Sequence, residues 1–495
     1  MRSLVLAIDQ STQGTKALLF DAEGHVVGRS SRPHGQYVDE RGWVEHDPEE
    51  IMTNVLACAR DVCKRASVTE GEVRAVGLSN QRETCLAWDR ARREPLHRAI
   101  VWQCGRAKDV CERLVEGDAH VENRVRELSG MELSPYFSAA KLAWLLEEVP
   151  AVREAAEAGT LALGTIDSWL VFKLCEGNPF VTEPSNACRT QLLDIRSGAW
   201  SEELCNVFGI PRSALAEVVP SDSVFGRTTM GGLFSDPVPV CGVLGDSQAA
   251  LAAQNCLEPG DVKATYGTGS SVMMQTGDRL YRSKNGLVSS IAWDFSGRRS
   301  YVLEGNLNYT GAVITWLKDE MRLIEDPSEV EELVAQANPD DRAYFVPAFT
   351  GLGAPWWDAD AMGLLTGVTR TTGRAEMVKA CAECIPYQVS DIVVALRSDT
   401  GLAVGQLRAD GGVTQNRYLM QFQADVAGVD VLVSDLQELS AAGAAFVAGR
   451  SAGVYRDNAI YEQVTRSAYA PRITRAERAR RVDGWHDAVR RATVH

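Results

Sequence analysis

Leu4-Val-Leu-Ala-Ile-Asp9-Gln-Ser-Thr12-Gln13-Gly14-Thr-Lys16-Ala-Leu-Leu-Phe20 is the stretch on which the reading of this chain turns. An apolar strand from Leu4 to Ile8 stops at a polar turn, and a second strand runs from Lys16 to Phe20. Asp21-Ala-Glu-Gly24 then leads into a third short strand at His25-Val-Val27. Strand, turn, strand at this spacing is a β-hairpin whose turn can hold a phosphate. Backbone N–H groups around Ser11 to Gly14 suit that task, with the Thr12 hydroxyl and Lys16 nearby to meet the charge. Asp9, at the end of its strand, is placed to hold Mg²⁺ directly or through water. An ordinary hairpin in which Asp9 caps the turn is the alternative, and taken alone it is the simpler reading.

Working outward, the pattern restarts near residue 260. Asp261 to Tyr266 reads as a strand, Gly267-Thr268-Gly269 turns, and Ser271 to Gln275 returns. Two glycines flanking Thr268 let backbone approach a ligand closely. A third candidate, Ala409-Asp-Gly-Gly412-Val-Thr-Gln-Asn416, is a strand end leading into a helix over Arg417 to Ala424. Glycines before a helix N-terminus suit an anion or a nucleotide. Each loop is a weak signal, and three in this order are stronger together. A diverged duplication with a nucleotide between its halves accounts for the repeat. At 495 residues the chain is too long for one ordinary core. Asn255-Cys-Leu-Glu-Pro259-Gly260 is a natural break, giving an N-terminal domain at 1–254 and a C-terminal domain at 255–495.

Between the two hairpins lies Gly245-Asp246-Ser247-Gln-Ala-Ala250. Asp246 is placed to accept the proton of a substrate hydroxyl, and equally to cap the Ala-rich helix that follows. The two roles are compatible, because a helix N-terminus helps to keep a carboxylate ionised. Val73 to Leu78 reads as a buried strand ending in the polar cluster Ser79-Asn-Gln-Arg82-Glu83-Thr84, a common ligand position in α/β proteins. Arg82 and Glu83 set a donor fork beside an acceptor, which suits vicinal hydroxyls; a surface ion pair is the plainer alternative. Trp102 and Tyr136 can wall the carbon face of a polyol, although aromatics are more often core. Asp47-Pro48-Glu-Glu50 starts a helix with Asp47 as cap and Pro48 at the first helical position.

Composition narrows the partners. A net charge of −15 argues against nucleic acid, whose phosphates call for a basic surface. The apolar run at the N-terminus is too short for a signal peptide core, and no stretch is long enough to span a bilayer. Twelve scattered cysteines suit free thiols in a reducing cytoplasm. Cys381-Ala-Glu-Cys384 has no second ligand pair at metal-site spacing, so core thiols are expected. His46 is expected to be structural, and the Arg-rich segment from Arg472 to Arg491 a solvated helix docked by Trp485.

Longer motifs then resemble a known family. They include Gly42-Trp-Val-Glu-His-Asp-Pro48, Ser79-Asn-Gln-Arg-Glu-Thr84, Ala99-Ile-Val-Trp-Gln-Cys104, Ser134-Pro-Tyr-Phe-Ser138 and Val346-Pro-Ala-Phe-Thr-Gly-Leu-Gly-Ala-Pro355. Two signature-like runs accompany them, Tyr136 to Trp144 and Gly363 to Val368 leading into Glu376–Glu383. Over nearly its full length the chain resembles the FGGY carbohydrate kinases, and within them the glycerol kinases.

The resemblance implies an α/β fold of two ribonuclease-H-like domains of the actin and sugar-kinase superfamily, with an interdomain active-site cleft. It implies ATP and Mg²⁺ as cofactors, a small polyol or sugar as substrate, and a homo-oligomer (dimer or tetramer). Carried over, Asp246 is the catalytic base and Asp9 the metal-associated carboxylate. Thr12, Gln13, Gly14, Lys16, Thr268, Gly311, Thr315, Gly412 and Asn416 fall on nucleotide positions, with Lys16 replacing an arginine and Thr315 a glutamine. Arg82, Glu83, Trp102 and Tyr136 match the polyol pocket. Two departures stand out: Ser247 replaces a glutamine and Ser271 a phenylalanine. Both make the pocket roomier and more polar, which points to a four- or five-carbon polyol or ketose. The loop Gly231-Gly-Leu-Phe-Ser-Asp236 lacks the basic character of a fructose 1,6-bisphosphate site, so no such inhibition is expected. The competing class, an actin-like ATP-binding protein without a small substrate, has no use for the Arg82–Glu83–Trp102–Tyr136–Asp246 set.

Overall fold

The apolar run that opens the chain becomes a central strand, Leu4–Gln10, buried along its whole length in a computed structural model that describes residues 2–493. A strand apolar on both faces belongs in the middle of a covered sheet. It pairs antiparallel with Gly14–Phe20 and parallel with Val73–Asn80. Both strands of this hairpin are longer than the sequence pattern predicts, because ladder pairing carries them into the polar turn as far as Gln10 and Thr15. The full six-stranded order is Val224–Thr228, Val238–Gly245, Val73–Asn80, Leu4–Gln10, Gly14–Phe20 and Val26–Pro33. Val238–Gly245 runs parallel to Val73–Asn80, so the strand ends carrying Asp9, Asn80 and Gly245 lie side by side.

One face of this sheet is covered by the helix Pro48–Arg65, whose Asp47 side chain accepts from the N–H groups of Glu49 and Glu50. The helix Leu439–Ser451 also packs on the sheet, at near-backbone distance. A Cβ on Gly77 would lie 2.4 Å from the Ala444 carbonyl oxygen, so only glycine fits there. The same helix presses on Asp246–Ala253, where a Cβ on Gly443 would lie 1.8 Å from the Ala249 carbonyl oxygen. A smaller antiparallel sheet orders Leu161–Thr165, Cys85–Asp89, Ala99–Ile100, Val44–His46 and Tyr37–Val38. Its core, with Ala139, Leu142 and Leu163, is separate from the core under the main sheet.

By contacts the chain divides into two units. Unit 1 is Met1–Asn255, Ser290–Tyr301 and Glu438–Gln463; unit 2 is Cys256–Ser289, Val302–Gln437 and Val464–His495. In unit 2 a hairpin of Val262–Tyr266 and Ser270–Gly277 pairs antiparallel. Gln406–Asp410 and Asp430–Ser434 follow parallel to its first strand, and Arg466–Tyr469 closes the sheet antiparallel. This repeats the plan of the first sheet: a hairpin, two parallel strands, and an antiparallel edge. The helix Arg374–Thr400 and the C-terminal helix Arg475–Ala492 build the unit 2 core, with Trp485 buried in it as expected. All twelve cysteines are free and buried, Cys381 and Cys384 among them. Among the described residues no helix is long and apolar enough to cross a membrane.

Candidate active site

Asp9, next to last in the first strand, is almost fully buried, and its carboxylate accepts from the Ser79 hydroxyl at 3.0 Å on the neighbouring strand. Burial pushes its pKa up to about 6, with the charges of Asp246 and Glu438 adding and the charge of Lys16 and the hydrogen bond from Ser79 opposing. Lys16 stands directly across the hairpin from Asp9. Its ammonium is paired with Glu438 at 2.5 Å, and Glu438 also holds Arg29 at 2.6 Å.

The hairpin turn is tight: the Ser11 N–H donates to the Gly14 carbonyl at 2.9 Å. Gln13 is exposed at its tip. The Thr12 hydroxyl accepts from the Trp102 indole N–H at 3.0 Å, tying the turn to the aromatic wall. Trp102 in turn meets Tyr136 edge-on, with ring centroids 5.4 Å apart.

Asp246 corrects one expectation. The helix begins at Asp246 itself, with Gly245 as the cap residue, so the carboxylate does not cap the helix from outside. It folds back onto the next residue, accepting from the Ser247 N–H at 2.6 Å. Asp246 therefore sits in the first turn, beside backbone N–H groups that have no intrahelical acceptor. Arg82 reaches it from the neighbouring strand end, Nε to Oδ1 at 3.6 Å, and also meets the Gln248 side chain at 3.4 Å.

Glu83 is not on the surface but 2% exposed, and its φ is +60°. The Thr84 N–H donates to the Arg82 carbonyl at 2.7 Å, closing a three-residue turn about it. A glutamate in this region is strained, and such strain persists only where the surroundings impose it. Here they do. Arg189, itself wholly buried, pairs with the Glu83 carboxylate, and the Ser138 hydroxyl donates to the Glu83 carbonyl at 2.9 Å. The surface-pair alternative for Arg82 and Glu83 is thus excluded.

In unit 2, Thr268, Gly311, Thr315, Gly412 and Asn416 line one cavity of about 600 Å³. Ile314, Val330 and Leu419 give it an apolar side. The turns close on one another, with the Gly311 N–H donating to the Gly267 carbonyl at 3.0 Å and the Ala312 N–H to the Thr268 carbonyl at 3.0 Å. A Cβ on Gly311 would lie 2.4 Å from the Gly267 oxygen, whereas one on Gly412 would meet nothing within 4 Å. Gly412 therefore leaves an open backbone face. Asn416 caps the helix Arg417–Ala427, accepting from the Leu419 N–H at 2.9 Å. A cavity of this volume with one apolar side, polar turns and a helix N-terminus fits a nucleotide. Ser271 lies outside that cavity lining, and its hydroxyl donates to the buried Glu304 at 2.8 Å.

His46 behaves as expected of a structural residue. Burial and the neighbouring His34 ring depress its pKa to about 3. Sequence reasoning misses Arg189 and Gln248, the buried partners of Glu83 and Arg82, and Glu438, the partner of Lys16. The available signal is the polar run Thr182 to Gln191, set between apolar stretches.

Known proteins similar to this chain define its family. The model of the FGGY family of carbohydrate kinases, N-terminal domain, matches residues 4–253, and that of the C-terminal domain matches residues 262–452. The chain belongs to the FGGY family of carbohydrate kinases. It is an ATP-dependent kinase with an alcohol group as acceptor, and Mg²⁺ is the family's usual cofactor. It is 44% identical to a glycerol kinase of Stenotrophomonas maltophilia (strain K279a) over 487 residues, 98% of this chain and 97% of that one. Glycerol kinase 1 of Thermotoga maritima is 43% identical over 489 residues, covering 98% and 99%. Among solved structures, Plasmodium falciparum glycerol kinase with ADP matches with a TM-score of 0.94 at 33% identity, covering 100% and 99%. A ligand-bound xylulose kinase from Lactobacillus acidophilus shares the fold, with a TM-score of 0.87 at 20% identity, covering 99% and 97%.

Proposed function

We propose that the chain phosphorylates a terminal hydroxyl of a four- or five-carbon polyol or ketose. Residues 1–254 supply the acceptor side and the base, and residues 255–495 the nucleotide side. When bound, ATP with Mg²⁺ supplies the phosphoryl group and neutralises the charge that develops on it. Asp246 takes the proton of the attacking hydroxyl, from its place in the first turn of the helix Asp246–Ala253. Asp9 holds the metal side of the site. The Thr12–Gln13–Gly14 turn and Lys16 meet the phosphates, with Lys16 exchanging Glu438 for phosphate oxygens. Thr268, Gly311, Thr315, Gly412 and Asn416 receive the rest of the nucleotide.

Arg82 and Glu83 grip adjacent hydroxyls of the acceptor, and Trp102 and Tyr136 cover its carbon face. The strained backbone at Glu83 supports this reading, because the fold fixes that carboxylate in one place before substrate arrives. A cytoplasmic homo-oligomer, dimer or tetramer, is part of the same proposal.

The observation that carries the chain length of the acceptor is the pair Ser247 and Ser271. The Ser271 hydroxyl is engaged by buried Glu304, so that side chain is held polar as well as short. Glycerol in such a pocket loses apolar contact, and each missing methylene is worth about 10-fold or more in discrimination. The second reading is glycerol itself, favoured by relatives of that name at 43–44% identity. Comparing kcat/KM for glycerol, erythritol, xylitol, ribulose and xylulose decides between them. A four- or five-carbon acceptor is expected to lead by about 10-fold or more. A wide margin for glycerol sinks the enlarged pocket and leaves the kinase assignment intact.

A further inference from the structure

Glu183 is a wholly buried carboxylate that none of the roles above uses. It precedes a single helical turn, Pro184–Ala187, and five donors converge on it. Its Oε1 accepts from the Ser185 hydroxyl at 2.5 Å, the Asn186 N–H at 2.7 Å and the Asn186 side-chain amide at 2.9 Å. Its Oε2 accepts from the Ser185 N–H at 2.9 Å and the Ser221 hydroxyl at 2.7 Å. Five donors on two oxygens are the surroundings of a carboxylate, which only accepts, and not of an amide or a protonated acid. Burial and the nearby Asp167 act in the opposite sense and lift the group to about 7.

The donors do not stop at Glu183. The Ser185 oxygen, oriented by donating to Glu183, accepts the backbone N–H of Gly245 at 2.9 Å. Gly245 immediately precedes Asp246. The Asn186 side chain, held by the same carboxylate, pairs with the Asn80 side chain in both directions, at 2.8 and 3.1 Å. Asn80 ends the strand that leads to Arg82 and also donates to the Gln81 carbonyl at 2.9 Å. One carboxylate thus reaches the ends of two adjacent parallel strands, one ending just before Asp246 and the other two residues before Arg82.

We propose that Glu183 is a positioning residue for phosphoryl transfer: through Ser185 and Asn186 it sets the spacing between Asp246 and Arg82. Asp246 and Arg82 stand 3.6 Å apart at this point, so a shift of either strand end moves the carboxylate relative to the hydroxyl it must deprotonate. Glu183 touches no substrate. Its effect falls on the transition state, where alignment counts, and not on nucleotide binding, whose cavity residues lie in unit 2. The inference rests on Asp246 being the base.

The test compares Ser185→Ala, Ser185→Thr, Glu183→Gln and Asp246→Asn in the full chain with the best acceptor of the panel above. Ser185→Ala cuts the link to Gly245 together with one of the five donors to Glu183, and leaves the Glu183 carboxylate and its other four donors in place. Its kcat is expected to fall by about 10- to 100-fold, the scale of a misplacement near 1 Å. The Kd for ATP is expected to stay within about 2-fold and the melting temperature within about 3 °C. Ser185→Thr retains the hydroxyl and is expected to restore most of kcat. Glu183→Gln turns an acceptor into a donor among donors, and its loss should be the larger. Should it fail to fold, the two Ser185 variants decide alone. The proposal is overturned if Ser185→Ala keeps kcat within about 2-fold, or if kcat, ATP affinity and melting temperature fall together, as for a merely structural residue. An active Asp246→Asn variant would instead remove the base reading, so the two failures are distinguishable.

Discussion

Lys141 shows how a single buried charge can serve a site without touching it. Its side chain is wholly buried, and burial holds its pKa below the usual lysine value. The ammonium donates to the carbonyls of Pro135, Tyr136 and Phe137, the last two at 2.6 and 3.3 Å. Three consecutive carbonyls fixed by one cation hold the segment that presents Tyr136, the proposed wall of the acceptor pocket. Lys141→Met removes the shared donor to these three carbonyls, at a cost of about 1–3 kcal/mol for each that finds no water or other donor. The expected outcome is a rise of about 10-fold in KM for the acceptor with a smaller change in kcat, since orientation of bound substrate suffers first. Steady-state kinetics at saturating ATP check it; an unchanged KM would mean that Tyr136 needs no such support. In the sequence Lys141 stands only as one member of a signature-like run. Arg189 is invisible for a related reason: it pairs with Glu83 across 106 positions, and no local pattern announces that.

At the level of elements, the sequence is most legible where periodicity and caps agree. The opening hairpin and the helix after Asp47 are written in local terms, and the fold keeps them. Asp246 is displaced by one position from its expected cap because Gly245 takes the extended cap conformation and leaves the aspartate inside the helix. The C-terminal helix is foreseeable from its arginines and Trp485, but its anchorage is not. Asp391, on the long helix Arg374–Thr400, accepts from the Trp485 indole at 2.7 Å and meets His486 at 2.8 Å. Trp485 also stacks on Tyr387, with centroids 5.4 Å apart.

The hydrogen bond to Asp391 raises the pKa of His486; burial and Arg490 oppose the rise, and Asp483 adds to it. A histidine bound more tightly in its charged form stabilises the fold fully below its unfolded value of 6.5, and that stability fades as pH rises through the raised folded value. His486→Gln keeps a hydrogen-bonding side chain and removes the charge. Its melting temperature is expected to fall below that of the parent by about 1–3 °C at pH 5.5, with the gap closing by pH 9, the size of a partly exposed ion pair. Taking the difference between the two proteins cancels other titrations, Glu183 included. A gap that is constant with pH would show that the contact works as packing and not as a charge pair.

At the scale of the whole molecule, the two units are not continuous in sequence: the first break falls at Asn255–Cys256, and later segments return to unit 1. The cut at residue 254 follows a proline–glycine break, which is a local signal, whereas unit membership is set by contacts that return late in the sequence. Glu438–Gln463 belongs with unit 1. Its helix, Leu439–Ser451, is small and apolar on nearly every face, so it carries little of the one-sided pattern by which a sheet-covering helix is recognised. Its function in the fold is nevertheless specific. It meets the backbone at Gly77 and at Ala249, its Ser440 hydroxyl donates to the Asp246 carbonyl at 3.1 Å, and the residue before it, Glu438, holds Lys16 and Arg29.

A fragment of residues 1–254 therefore lacks one cover of its own central sheet and the counter-ion of Lys16. It also lacks Ser290, which accepts from Arg189 at 2.9 Å, and so leaves that buried guanidinium short of a partner. Apolar strand faces would be left to water at about 25 cal/mol per Å², and a domain's margin of stability is only about 5–15 kcal/mol. The fragment is expected to show helical far-ultraviolet dichroism, to bind a hydrophobic dye, and to melt without a cooperative transition. Adding residues 438–463 back through a flexible linker is expected to restore cooperativity. A fragment of 1–254 that melts sharply, within about 5 °C of the full chain, would show that the late helix is an ornament of unit 1 and not part of its core.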